Sequence, residues 1–139
     1  MKKFFILAAA FGMLAILVQP AAAMNHEVKI AEQDEIGKYL TDADGMTLYV
    51  FEKDSPGQSA CTGGCVDNWP LFYREDVAPP EGVDSNDFGT ITREDGAEQT
   101  TFRGYPLYYF TGDSEPGEAK GNGMMDLWHV VDPDSFPAE

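Results

Sequence analysis

Basic residues are scarce in this chain. Nine Lys and Arg stand against 24 Asp and Glu, a formal charge of −15 over 139 residues. A surface of that sign repels nucleic acid and anionic lipid, which excludes both as partners. It leaves a cation or a basic exported protein as its complement, or no partner and a solubilising shell. Histidine is rarer still: His26 and His129 are the whole supply, too little for ordinary acid–base catalysis. Gly-x-Ser-x-Gly, His-Glu-x-x-His and a phosphate-binding glycine loop are all missing, so no enzymatic activity is expected. A hydrolase built on Asp54 and Asp113 is the remaining catalytic option. The two cysteines, Cys61 and Cys65, are too few for a zinc site and not spaced as Cys-x-x-Cys. No His follows Cys65 for haem attachment. In an exported chain they read as a local disulfide, stabilising by about 2 kcal/mol in the loop-entropy account. A redox role for the same pair is the alternative.

Long apolar runs are also lacking, with one exception. Phe4 to Val18 follows Lys2-Lys3 and ends at Gln19-Pro20, ahead of Ala21-Ala22-Ala23. This is the pattern of a cleaved secretion signal over residues 1–23, and it is shorter than the roughly 20 residues of a membrane span. No membrane span is expected, and the location is periplasmic or secreted. The mature chain then starts at Met24; losing Lys2 and Lys3 moves its charge from −15 to −17. No Cys follows the signal, so no lipid anchor is expected.

What the chain has is a repeat. Gly45, Leu48, Tyr49, Phe51, Asp54 and Ser55 recur at an offset of 59 as Gly104, Leu107, Tyr108, Phe110, Asp113 and Ser114. Trp69 and Trp128 follow the same offset. Two related units are therefore expected in one domain over 36–133: repeat one at 36–73, a linker at 74–87 and repeat two at 88–133. A loosely held lead-in occupies 24–35 and a tail 134–139. No stretch carries a helical period. The expected class is mainly β, a small antiparallel barrel or sandwich built from two hairpin-containing repeats with long loops. In repeat one, 36–41 and 47–51 form a hairpin across the Asp42-Ala43-Asp44-Gly45 turn. In repeat two, strands are expected at 88–93, 99–103, 107–110 and 127–131. Tyr49 and Phe51 share one face of their strand, with Leu48 and Val50 on the other. Both faces are apolar, which implies cover on both sides, with Trp69 and Trp128 filling between the units.

Tyr49-x-Phe51-x-x-Asp54 and Tyr108-x-Phe110-x-x-Asp113 resemble the Tyr-x-aromatic-x-x-Asp motif of a family of predicted bacterial lipoproteins, also described as a secreted repeat of unknown function. The resemblance extends over roughly Gly37 to Pro133. It takes in the Cys61-Thr62-Gly63-Gly64-Cys65 loop, Trp69-Pro70, and the Asp95-Gly96 to Gln99 turn ahead of Gly104-Tyr105-Pro106. It implies an exported, repeated β domain and no particular activity. Members are often lipid-anchored, whereas this chain has no Cys after its signal.

Several residues carry possible chemistry. Asp54 and Asp113 read as Asx-turn acceptors or as carboxylates beside a pocket or cation, and Tyr49 and Tyr108 as turn partners or phenols for a ligand. Asp42-x-Asp44-Gly45 begins like a calcium loop but fails it at Met46 and Lys53. A mature terminus Met24-Asn25-His26 offers an amine, two amides and an imidazole to a square-planar Cu(II). Met124, Met125 and His129 form a second soft cluster, for which core filling and a surface His are the plain reading. The expected function is an exported, non-enzymatic binding or interaction domain; a periplasmic copper- or haem-linked redox or electron-transfer accessory is the alternative.

Overall fold

Residues 26–137 are described by a computed structural model. The expected signal over 1–23, together with Met24 and Asn25, lies outside them. The strands are β1 (Val28–Gln33), β2 (Gly37–Asp42), β3 (Tyr49–Phe51), β4 (Phe88–Thr92), β5 (Glu98–Phe102), β6 (Tyr105–Pro106) and β7 (Trp128–Val130). One short helix, α1 (Gly64–Asn68), and 3-10 turns at Ser85–Asp87 and Met124–Asp126 complete the regular elements among the described residues. The strands form three antiparallel sheets, β1–β2, β3–β7 and β4–β5–β6. The class is mainly β, as expected, and no closed barrel forms among the described residues.

Two boundaries are corrected. The lead-in is ordered from Val28 onward, where β1 runs antiparallel to β2 in a register from Val28↔Asp42 to Gln33↔Gly37. Its charges concealed the pattern: Val28 is buried and Ile30 packs on the core, while Lys29 between them faces outward. The tail is tied down as well. Phe136 lies edge-on to Tyr105 with centroids 5.1 Å apart, and Arg103 Nη1 donates to the carbonyls of Phe136 and Pro133.

The expected first hairpin forms at its turn and then parts. Asp42 Oδ1 accepts from Asp44 N and Met46 N, both at 2.9 Å, and Gly45 takes φ +91°. This is a turn stabilised by its own side chain. Beyond Leu48 N–H to Leu40 O at 3.1 Å the strands diverge. Tyr49 instead exchanges both backbone bonds with Tyr108, at 2.9 and 3.0 Å, and β3 pairs with β7. The repeats are thus stitched through the two motif tyrosines. The expected strand at 107–110 reduces accordingly to single bridges from Tyr108 to Tyr49 and Leu71.

The period-two alternation along β3 divides the interior. Leu48 and Val50 join an aliphatic core with Val28, Leu40, Phe72, Phe102, Leu107 and Val131. Tyr49 and Phe51 join an aromatic core with Cys61, Trp69, Tyr108 and Trp128. A strand covered on both faces, as the sequence implied, gives each cluster one wall.

Candidate functional site

The paired motifs meet in the aromatic core, and they are crossed. Tyr49 Oη of repeat one donates to Asp113 Oδ2 of repeat two at 2.6 Å; Tyr108 Oη of repeat two donates to Asp54 Oδ2 of repeat one at 2.7 Å. Each Asp uses its other oxygen to hold its own loop. Asp54 Oδ1 accepts from Ala60 N at 2.6 Å and Asp113 Oδ1 from Lys120 N at 2.8 Å. The aspartates therefore reach six and seven residues on, rather than closing the two-residue Asx turn that was the plainer expectation. Asp54 borders the second groove described below, and Asp113 does not share it.

The rings are crossed in the same way. Trp69 and Trp128 stack with centroids 3.7 Å apart and planes 1° apart. Phe51 stacks on Trp128 (4.2 Å) and Phe110 on Trp69 (4.3 Å), so four rings run in one column. Tyr49 meets Trp69 edge-on at 5.4 Å and Tyr108 meets Trp128 edge-on at 5.2 Å. The edge-on contacts suit the ring quadrupole. Burial pushes the Tyr49 and Tyr108 phenols well above their ordinary value, reinforced by the carboxylate each one bonds. Burial also raises Asp54, against the opposing pull of Ala60 N–H and the Tyr108 hydroxyl. Phenols held protonated against buried carboxylates are cross-links.

The two loops that follow the motif differ by one residue, Asp54-Ser55-Pro56-Gly57 against Asp113-Ser114-Glu115-Pro116-Gly117. Gly121 consequently falls where repeat one has Cys61. Gly121 N donates to Tyr49 Oη at 3.1 Å, and a Cβ there would meet Trp69 at 2.7 Å. In repeat one the equivalent loop carries the Cys61–Cys65 disulfide, with Cα atoms 5.3 Å apart and Cys61 fully buried. Cys65 is the second residue of α1, a helical turn the sequence did not signal.

The disulfide loop supplies an open cleft of about 340 Å³. Gln58, Ser59 and Thr62 line one side and Ile91, Arg93 and Glu94 of the β4–β5 hairpin the other. Arg93 is 9% exposed. Its Nη1 donates to Ser59 Oγ at 2.8 Å and Gln99 Oε1 at 2.7 Å, and its Nη2 to the Cys61 carbonyl. Its Nε–H is buried with no acceptor, an omission that costs about 1–3 kcal/mol. Ser59 Oγ is also 2.5 Å from Tyr108 Oη, so Gln99, Arg93, Ser59, Tyr108 and Asp54 form one polar chain. Sequence reasoning passed over Ser59, Arg93 and Gln99. The available signal was a lone Arg before Glu94-Asp95-Gly96, in a chain where basic residues are rare. A second groove of about 520 Å³ runs between Phe51, Tyr105 and Phe136, with Glu52, His129 and Asp132 along it.

The remaining expected residues are scattered. His129 Nε2 lies 2.9 Å from Glu52 Oε2 on an exposed face. Met124 and Met125 are exposed, Met125 at 68% and with φ +56°, so the core-filling role expected of them does not hold. His26 is half-buried, its carbonyl accepts from Ala78 N at 2.9 Å, and its Nδ1 is buried without a partner. No group of three or more His, Cys, Asp or Glu among the described residues is placed to hold a metal. No helix among them is long and apolar enough to cross a membrane.

No curated protein and no solved structure matches the chain. A family described as a secreted repeat of unknown function matches it twice, over residues 31–73 and 89–132. Each match ends within or just after the segment that supplies a stacked tryptophan, and the motif of each is completed by the other. With both copies present and together spanning more than half of its length, the chain belongs to this family of secreted repeats.

Proposed function

We propose that this exported chain is a non-enzymatic periplasmic binding module, in which the crossed Tyr–Asp motifs are scaffold and the cleft beside the disulfide loop is the binding surface. One observation carries this reading. The motif tyrosines and aspartates are buried and satisfied by each other, whereas the open cleft beside the disulfide loop is lined by Thr62, Arg93 and the exposed Glu94, whose carboxylate has no partner among the described residues. Strong, fully used side-chain networks hold a shape, and binding needs groups left over. The same geometry argues against the Asp54 and Asp113 hydrolase, since each carboxylate already accepts a backbone N–H and a phenol. The test is thermal unfolding of the mature protein with and without a small-molecule extract of its own exported fraction. A ligand raises the midpoint by mass action, and that rise should vanish when the cleft is blocked by Thr62→Trp. An unchanged midpoint across all fractions sinks the proposal.

A second reading is copper capture at the mature N-terminus, Met24-Asn25-His26, as a redox accessory. His26 Nδ1, the nitrogen such a square-planar set uses, has no hydrogen-bond partner but is buried, so the imidazole must turn outward to bind. Mass spectrometry of the mature terminus followed by a Cu(II) titration checks it. A start other than Met24, or no visible d–d band, removes it.

A further inference from the structure

We infer that the free edge of β4 takes up an extended, basic segment of another exported protein, which adds a strand to the β4–β5–β6 sheet. The inference goes beyond the cleft above, because it concerns the backbone of β4 and not the side chains that line that cleft. β4 lies at the margin of its sheet, with β5 on one side only. Thr100 of β5 donates its N–H to Phe72 O at 2.9 Å and accepts Leu107 N–H at 3.0 Å, so both its backbone groups point away from β4. Its partner Thr90 therefore sits in a non-hydrogen-bonded pair, and by the antiparallel alternation so does Thr92, opposite Glu98. The N–H and C=O of Thr90 and Thr92 consequently face outward, and they have no partner among the described residues. Gly89, Thr90 and Thr92 are all exposed. At Gly89 it is the backbone itself that meets water.

Open edges are ordinarily blunted by charge, proline or cover. β1 shows these devices: Lys29 and Glu32 are exposed along it, and Val28 N–H bonds Ala78 O at 3.0 Å just ahead of Pro79-Pro80. β4 has none of them. Phe88-Gly89-Thr90-Ile91-Thr92 carries no charge and no proline, and its register with β5 is unbroken. The surroundings decide the occupant. Glu75 and Asp76, with Val77 and Phe88, border a recess of about 260 Å³ beside β4, and Glu94 and Asp95 follow its far end. These carboxylates are exposed. The nearby cations are engaged within the protein, Arg74 with Asp42 and Tyr109 Oη, and Arg93 with Ser59 and Gln99. A second copy of this chain would set a charge of −15 against −15. Lysines on an added strand instead meet acids beside β4 and beyond its end. In strand addition the main-chain bonds supply affinity and side-chain pockets supply selection, here Val77 and Phe88 for an apolar residue.

The test is binding of a synthetic peptide alternating Lys and Val to the ¹⁵N-labelled mature protein, read by amide hydrogen exchange. In the free protein the Thr90 and Thr92 amides should exchange fast, and those of Gly89 and Ile91 slowly. Saturating peptide should slow the Thr90 and Thr92 amides by about tenfold or more, and added salt should weaken binding. The same peptide N-methylated throughout keeps its charge and loses its donors, and should bind about tenfold or more weaker. A peptide alternating Glu and Val should be weaker by a similar factor. Thr90→Pro removes an outward N–H that β5 does not use and should abolish the protection at Thr92. Thr90→Lys, which leaves the backbone unchanged and gives β4 the kind of charge that β1 carries, should weaken the Lys–Val peptide severalfold. Equal binding of the N-methylated peptide overturns strand addition, and equal binding of the Glu–Val peptide overturns the basic partner. Slow exchange at Thr90 and Thr92 in concentrated protein without peptide assigns the edge to a second copy and overturns the inference. Fast exchange that persists with the Lys–Val peptide also overturns it.

Discussion

Replacing Tyr49 by Phe removes one oxygen and strands two groups. Asp113 Oδ2 loses a donor at 2.6 Å and Gly121 N–H loses an acceptor at 3.1 Å, in the buried centre between the repeats. A hydrogen bond to a carboxylate contributes about 1.5–3 kcal/mol and a neutral one about 1 kcal/mol, so the loss should be about 3 kcal/mol. That is a large part of the roughly 5–15 kcal/mol typical of a whole domain, and corresponds to a fall of about 15 °C in midpoint. Urea unfolding followed by fluorescence of the stacked Trp69–Trp128 pair measures it directly. The crossing itself is tested by two double-mutant cycles. Tyr49→Phe with Asp113→Ala, which share a hydrogen bond, should couple by about 1–2 kcal/mol. Tyr49→Phe with Asp54→Ala, from the same motif and sharing none, should add within about 0.5 kcal/mol. Coupling to Asp54 in place of Asp113 would refute the crossed clamp, and with it the scaffold role of the motif.

Three further outcomes are expected. Gly104→Ala forces a Cβ to 3.0 Å from Pro56 Cβ at φ +93°, whereas Gly82→Ala at φ +88° meets nothing; the first should destabilise by about 3 kcal/mol and the second by about 1 kcal/mol in thermal melts. Asp54 is raised above its ordinary carboxyl value by burial, so the folded state holds its proton more tightly than the unfolded chain. Its contribution is most favourable below the ordinary Asp value and is lost as pH rises through the raised one. The stability difference between wild type and Asp54→Asn should therefore shift in favour of wild type as pH falls towards 3.8; a pH-independent difference would contradict this. Cys61→Ser with Cys65→Ser should lower the urea midpoint at unchanged slope, by about 2 kcal/mol, and reductant should do the same to wild type.

Much of the scaffold was legible in particular residues. The offset from Gly45 to Gly104 announced two units, Asp42 and Gly45 announced a turn, and the alternation from Leu48 to Phe51 announced a strand buried on both faces. The strand at Val28–Gln33 was missed because the exposed Lys29 and Glu32, on opposite faces of the strand, broke up the apolar pattern that β2 completes. The candidate site was hardly legible at all. Ser59, Arg93 and Gln99 lie up to 40 positions apart in sequence, and only the packing of the hairpin against the disulfide loop joins them.

The sequence by itself determined that there are two copies, what each contributes and where the first hairpin turns, because these follow from local sterics and side-chain period. It was silent on pairing. Identical motifs are equally able to satisfy themselves or each other, and a linear offset carries no sign of which. Tertiary structure decided for exchange, because each loop folds its Asp back over the opposite repeat's tyrosine while the tryptophans stack between them. The same packing buried one guanidinium beside a cleft and left part of it unsatisfied, a consequence of where two loops meet in space.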